Sequence, residues 1–261
     1  MTNMLLFGED YQKKFSAEEY LKSCILEGTP EEPTSPMFIP KTLHKIFSSG
    51  TITGRRILEI GSGPVIANLI PSAKWFDRIT LSEYAKCNRD ELVKWWAADD
   101  TAHDWSPHFK YHAKLDGDES KWMENQLTFR EKMTPVKHCD VTKEDILSPN
   151  PVEPFDAVLS SLCLEAACHD VASYQRALVN IARLLRHGGH IVLVGVLDET
   201  YYTVGKEKFF CLPLDKAKIT NALKSAGFDE MVWYEDNTRS LDIRSDYTGL
   251  FVVKGRLTEK N

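Results

Sequence analysis

The chain has 261 residues, 43% of them hydrophobic and 27% charged, which is enough to bury one large core and excludes a disordered or collagen-like polymer. A formal net charge of −6, with no run of lysine or arginine, gives no attraction to a phosphate backbone and argues against nucleic acid as a partner. No apolar run approaches the ~20 residues that span a bilayer, and six scattered cysteines without a C-x-x-C pair read as free thiols of a reducing compartment, so a cytoplasmic monomer with no membrane partner is expected.

In chain order, helical periodicity comes first, in "DYQKKFSAEEYLKSCILEG" (10–28), followed by a proline-rich loop at 28–36. From residue 55 onward, short β-branched runs alternate with helical segments. "RRILEI" (55–60) and "RITLS" (78–82) precede the helix "NRDELVKWWAA" (88–98), one of whose paired tryptophans should pack inward. Residues 101–134 read as a polar and aromatic insertion with one helix near "SKWMENQLTFREKM". "VKHCDV" (136–141) and "FDAVLSS" (155–161) are strands. The helix after them, 170–185, should stop at Arg186-His187-Gly188-Gly189, basic residues facing the helix end and glycine capping it. "HIVLVGVL" (190–197), a helix over 213–227, and an antiparallel pair at 228–235 and 248–257 complete the chain. The alternation predicts one α/β domain over 1–261, built on a doubly wound and mostly parallel sheet. Residues 1–50 would form a helical lid and 51–261 a Rossmann-like core.

Gly61-Ser62-Gly63 lies at the first strand-to-helix turn, where backbone approaches a ligand in such sheets. Pro64 and Ile66 break the G-x-G-x-x-G/A dinucleotide pattern, which disfavours NAD. Glu59 precedes the turn, and Glu83 closes the second strand twenty places after Gly63, where a carboxylate accepts hydrogen bonds from both hydroxyls of a ribose. E-x-G-x-G-P with a later strand-closing acid resembles the S-adenosylmethionine site of class I methyltransferases.

Further blocks sharpen the resemblance: "YQKKFSAEEYL" (11–21), "LEIGSGPVI" (58–66), "DWSP" (104–107), "KHCDVT" (137–142), "SSLCLEAACHD" (160–170), "RALVNIARLLRHGGHIVLVGVLDETYY" (176–202) and "VGKEKFFCLPL" (204–214). With them the chain resembles the small-molecule amine methyltransferases that include phenylethanolamine, nicotinamide and indolethylamine N-methyltransferases. The resemblance implies transfer of a methyl group from S-adenosylmethionine, leaving S-adenosyl-L-homocysteine. It implies cofactor contacts from Tyr11 and Tyr20 in the lid, from Gly61, Ser62 and Gly63 at the turn, from Glu83 and Asn88 at ribose and adenine, from Asp140 and Val141 beside the adenine, and from Ser161 near the methionine end.

An aliphatic amine of pKa ~10 is an ammonium at neutral pH and has no lone pair to attack with. Its pocket therefore needs carboxylates. Glu165 and Glu199, each just beyond a strand, match the two acids that meet the amine in phenylethanolamine N-methyltransferase, and the resemblance gives them catalytic and substrate-binding roles. Leu162 would desolvate Glu165, Tyr202 would supply an aromatic wall, and Asp246 is a further substrate-binding acid. Where nicotinamide enzymes carry an acid this chain has Gly195, and where they carry serines it has Glu199 and Cys211, which demotes nicotinamide. The chain also departs from its relatives at Cys24, Ile25 and Ala67. An arylalkylamine acceptor is expected; nicotinamide, indolethylamine and thioether acceptors, and a non-catalytic cofactor-binding module, stay as alternatives. His103, Asp104, His108 and His112 are not spaced to put three ligands on one helix face, so no metal is expected.

Overall fold

The computed structural model describes residues 5–23, 37–147, 153–240 and 243–258. Among the described residues nine strands form: β1 (Gly54–Ile60), β2 (Phe76–Glu83), β3 (Lys137–His138), β4 (Phe155–Ser161), β5 (Leu185–Leu197), β6 (Tyr201–Val204), β7 (Glu207–Phe210), β8 (Phe228–Asp236) and β9 (Gly249–Leu257). Seven of them make one sheet in the order β3-β2-β1-β4-β5-β9-β8, and β6 and β7 make a separate hairpin. β1 pairs in parallel with both β2 and β4, so strand order reverses at β1, which is where a doubly wound sheet opens a crevice. β9 runs antiparallel and slots between β5 and β8, so the last strand of the chain is not the edge of the sheet.

The strands are apolar because both faces are covered. Leu58, Ile60 and Val158 pack with Leu178 and Ile181 of α8 (Val171–Leu184) and Ile219 and Leu223 of α9 (Lys216–Ser225). On the other face Ile57, Ile79 and Leu81 meet Leu43 and Phe47 of α3 (Phe38–Ser48), Leu92 and Trp95 of α4 (Lys86–Trp96), and Phe109 of α5 (Ser106–Leu115). Trp95 is the tryptophan that turns inward: it stacks on Phe109 at 6.0 Å and lies under the Arg130 guanidinium at 4.4 Å. No helix among the described residues is long and apolar enough to cross a membrane.

Several local expectations are corrected. The periodic segment 10–28 is not one helix. α1 (Tyr11–Lys14) and α2 (Ala17–Leu21) are separated because Phe15 is extended and Ser16 caps α2, accepting from Glu19 N at 3.2 Å. Cys24, Ile25 and the whole proline-rich segment (28–36) lie outside the described residues. The insertion holds two helices, α5 and α6 (Trp122–Lys132), with Pro107 in the first turn of α5. β3 keeps two residues of the expected six, because Asp140 turns the chain by accepting from Thr142 N at 3.0 Å. Gly188 does not cap α8. The chain becomes extended at Leu185, β5 begins there, and Gly188 (φ +72°) serves a bulge between the pairs Phe155–Leu185 and Ala157–His190.

At the amino ends of the central strands Asp156 accepts from Arg55 N (2.7 Å), Arg56 N (2.9 Å) and Arg186 Nε (2.6 Å). Burial opposes its charge, but these donors outweigh it and hold the carboxyl below its ordinary value. Asp156→Ala should lower the unfolding free energy by about 2–4 kcal/mol in urea at pH 7. Because the folded-state pKa is depressed, that difference is present above about pH 4 and shrinks as pH falls further. An unchanged midpoint would contradict this role.

Candidate active site

The crevice at the carboxyl ends of β1, β2, β4 and β5 holds a cavity of about 950 Å³. β1 delivers the glycine turn to its floor. Gly61 and Gly63 both have positive φ (+68° and +60°), yet for different reasons. A Cβ on Gly61 would fall on the Cys163 sulfur, whereas a Cβ on Gly63 would meet only the Tyr20 ring at 4.0 Å, so the second glycine serves conformation alone. Ser62 N donates to Ser82 O at 3.0 Å and ties the turn to β2. The segment that follows is a 3-10 helix, Ala67–Ser72, rather than an α-helix, and contains Pro71.

Glu83 organises this end of the cavity. Its Oε2 accepts from Gly63 N at 3.0 Å, and its Oε1 accepts from Ala85 N at 2.8 Å and from the buried Asn88 amide at 3.1 Å. Burial raises its pKa, and the three donors pull it back. Glu59 is fully buried with a pKa near 8; Asn68 donates to one oxygen at 2.9 Å and the other has no donor. Asp140 and Val141 line the neighbouring wall, and the Asp140 carboxylate is engaged by Thr142.

The lid closes from the amino-terminal side. Tyr11, Phe15 and Tyr20 form a ring ladder with centroids 5.2 and 5.4 Å apart, and Phe209 of β7 meets Tyr11 at 4.8 Å. Leu6 exchanges backbone hydrogen bonds with Lys208 and Phe210, and Gln12 Nε2 donates to Tyr84 O at 2.7 Å, so the lid is pinned to the hairpin and to the end of β2. Tyr11 and Tyr20 both face the cavity, and the buried Tyr11 hydroxyl has no partner.

At the opposite end Ser161 ends β4 and Leu162 follows it. Leu162 adopts φ +51°, a costly conformation for leucine, held by its N–H to Val194 O at 3.0 Å. That bend places Cys163 under Gly61 and starts α7 (Leu164–Ala167), which carries Glu165. Glu165 is 5% exposed, and burial, reinforced by Glu199, raises its pKa to about 8; one carboxyl oxygen has no donor. Gly195 of β5 makes room for it: a Cβ there would lie 2.9 Å from that oxygen and 2.7 Å from the Phe251 ring. Glu199 is also buried, which raises its pKa, and its Oε1 accepts from the Ser245 hydroxyl, which pulls it back. Tyr202 stacks on Phe209 at 5.6 Å and closes the wall.

Every residue expected from the sequence lines this one cavity except Asp246. Asp246 instead accepts from Thr200 N (2.8 Å), Thr200 Oγ1 (2.5 Å) and Tyr201 N (3.3 Å), fixing the start of β6, and its neighbour Ser245 faces the cavity. Sequence reading also missed Cys163 and the bond of Ser245 to Glu199; neither has a local signature. His108 and His112, at the buried face of α5, are held neutral by burial, with pKa values near 4 and 3. No group of three or more metal-ligating side chains occurs among the described residues.

With this geometry in hand, comparison with known proteins is decisive. The model of the NNMT/PNMT/TEMT family matches residues 3–256. The chain belongs to this family. It is 35% identical to indolethylamine N-methyltransferase of Oryctolagus cuniculus over 249 residues, covering 94% of this chain and 95% of the relative. It is 35% identical to human nicotinamide N-methyltransferase, covering 95% of each. Phenylethanolamine N-methyltransferase of Macaca mulatta is 34% identical, over 72% of this chain and 68% of the relative. Among solved structures, the N-methyltransferase NodS from Bradyrhizobium japonicum in complex with S-adenosyl-L-homocysteine shares the fold with a TM-score of 0.51 at 14% identity, covering 93% of this chain and 99% of NodS. A SAM-dependent methyltransferase from Methanosarcina mazei gives 0.55 at 14% identity, covering 81% and 96%.

S-adenosylmethionine is the family cofactor, and the residues present fit it. The left-handed glycine turn brings bare backbone to the cavity floor, a buried carboxylate closes β2, and an unpartnered tyrosine hydroxyl faces the same space. Gly61→Ala should weaken binding of S-adenosylhomocysteine about 10- to 100-fold in fluorescence titration, since left-handed strain and the Cys163 clash act together. Wild-type affinity in a variant with a normal melting curve would contradict the assignment.

Proposed function

We propose that the protein methylates the nitrogen of a small primary or secondary arylalkylamine, with Glu165 and Glu199 receiving the ammonium. One observation carries this reading: two buried carboxyl groups face the same cavity, and no basic side chain lowers the pKa of either. Two buried acids without a cationic partner are costly unless a bound cation completes them.

The bound cofactor supplies an electrophilic methyl group on a sulfonium. The chain supplies the rest. An ammonium gains its lone pair only by losing a proton, and the unpartnered Glu165 oxygen is where that proton goes. Glu165 ionised beside an ammonium and Glu165 neutral beside a free amine hold the same protons, so one shift across a hydrogen bond connects them. The Tyr202 ring offers a face for a cationic or aryl group. The docked lid keeps water from the cavity and fixes the line of attack.

Nicotinamide fits less well. It needs no deprotonation, and the acid that the nicotinamide enzymes carry at the Gly195 position would run into Glu165 and Phe251 here. We further propose a cytoplasmic monomer, supported by the five described cysteines, all free thiols.

Incubation with methyl-labelled cofactor and a panel of phenylethylamines, tryptamine, nicotinamide and thioethers should label the arylalkylamines. For the best amine, kcat/KM should climb as pH rises through about 8, where Glu165 ionises, and fall as the amine loses its proton near ~10. Glu165→Gln should cost roughly 10²- to 10⁴-fold and abolish the acid limb. Label on nicotinamide alone, or an acid limb that survives Glu165→Gln, would overturn the reading.

A further inference from the structure

The two acids of the substrate end have unequal surroundings. Glu165, on α7, has one oxygen without a donor, and no side chain donates to it. Glu199, between β5 and β6, is held by a side chain from a distant part of the chain. Cys211, after β7, is buried, and its amide donates to Thr200 O at 3.0 Å, which ties the end of β7 to the residue after Glu199. Ser245 lies in the segment ahead of β9, where it bridges to Tyr202 while the adjacent Arg244 O accepts from Thr203 N at 2.8 Å. The Ser245 oxygen accepts from Tyr247 N at 3.5 Å, which leaves its single proton for Glu199.

We propose that Ser245 is a positioning residue that holds Glu199 as the standing anion of the cavity, so that Glu199 seats the substrate ammonium while Glu165 takes its proton. The assignment rests on the amine reading above. A hydroxyl whose oxygen already accepts from Tyr247 N turns its proton to the Glu199 carboxyl, and that donor favours the ionised form against burial. The other ionisable groups around Glu199 do not compete for this role. Glu165 and Asp246 are acids, and Asp246 is turned to Thr200 and Tyr201. Burial pushes the Tyr202 hydroxyl and the Cys211 thiol up, so both stay protonated and neutral, and Arg244, which also lines the cavity, does not lower the pKa of Glu199. In the step itself an N–H bond of the ammonium breaks, its electron pair stays on nitrogen, and the proton passes to the free oxygen of Glu165. Nitrogen then takes the methyl group, and the carbon–sulfur pair stays with the departing thioether.

The test is a pH titration of the full-length protein carrying carbon-13 in its glutamate carboxyls, with S-adenosylhomocysteine bound and the two signals assigned by Glu165→Gln and Glu199→Gln. Glu199 should titrate below Glu165. Ser245→Ala should raise the Glu199 midpoint by roughly half to one pH unit, and Ser245→Thr, which keeps the hydroxyl, should return it toward wild type. With phenylethylamine near pH 6.5, the alanine variant should raise KM more than it lowers kcat, at unchanged affinity for S-adenosylhomocysteine. A Glu199 midpoint unmoved in Ser245→Ala, or one above that of Glu165 in the wild type, overturns the proposal. If the midpoints shift as described but no amine is methylated by the wild type, the hydrogen-bond assignment stands and the amine reading falls.

Discussion

The Glu83 carboxylate is the joint on which this molecule depends. It ends β2, yet its hydrogen bonds go to Gly63 in the turn after β1 and to Ala85 and Asn88 at the start of α4. Three chain segments are thereby fixed around one buried negative charge. Burial works against that charge, and the donors make it tolerable. A positive-φ turn beside a buried acid is a poor structural solution on its own, but it suits a ligand that carries hydroxyls and a positive sulfur.

The substrate end follows a related logic with a different outcome. At Glu83 the protein supplies the partners; at Glu165 it leaves one oxygen bare. Two departures from ordinary local structure create that position: the left-handed Leu162, which swings α7 back under the glycine turn, and Gly195, which clears the space the carboxyl occupies. Both sit at the carboxyl edge of neighbouring strands, where a parallel sheet collects its chemistry. Strain and missing side chains thus concentrate where the cofactor and the acceptor must meet.

Much of this was legible in the chain itself, for physical reasons. Strands buried on both faces are continuous apolar runs, so β1, β2 and β4 stand out, and glycine followed by a strand-closing acid marks the switch point. What escaped was set by distance or by competition. Ser16 breaks a periodic segment because a cap outweighs propensity over so few residues. Gly188 reads as a helix cap until Asp156, thirty residues earlier, draws Arg186 into the sheet. Asp246 and Ser245 could not be told apart from the sequence, since which of two adjacent side chains faces the cavity depends on the register of a loop against β6. The partnership of Glu199 with Ser245 joins segments 46 residues apart with no local pattern in common.

The most direct test is calorimetric titration of S-adenosylhomocysteine into the wild-type protein and into Glu83→Gln, which keeps the side chain's size but replaces an acceptor with a donor among three donors. Saturable one-to-one binding by the wild type, weakened at least about 30-fold in the variant, is the result this account predicts. Absence of heat with the wild type, or equal affinity in the two proteins, would contradict it.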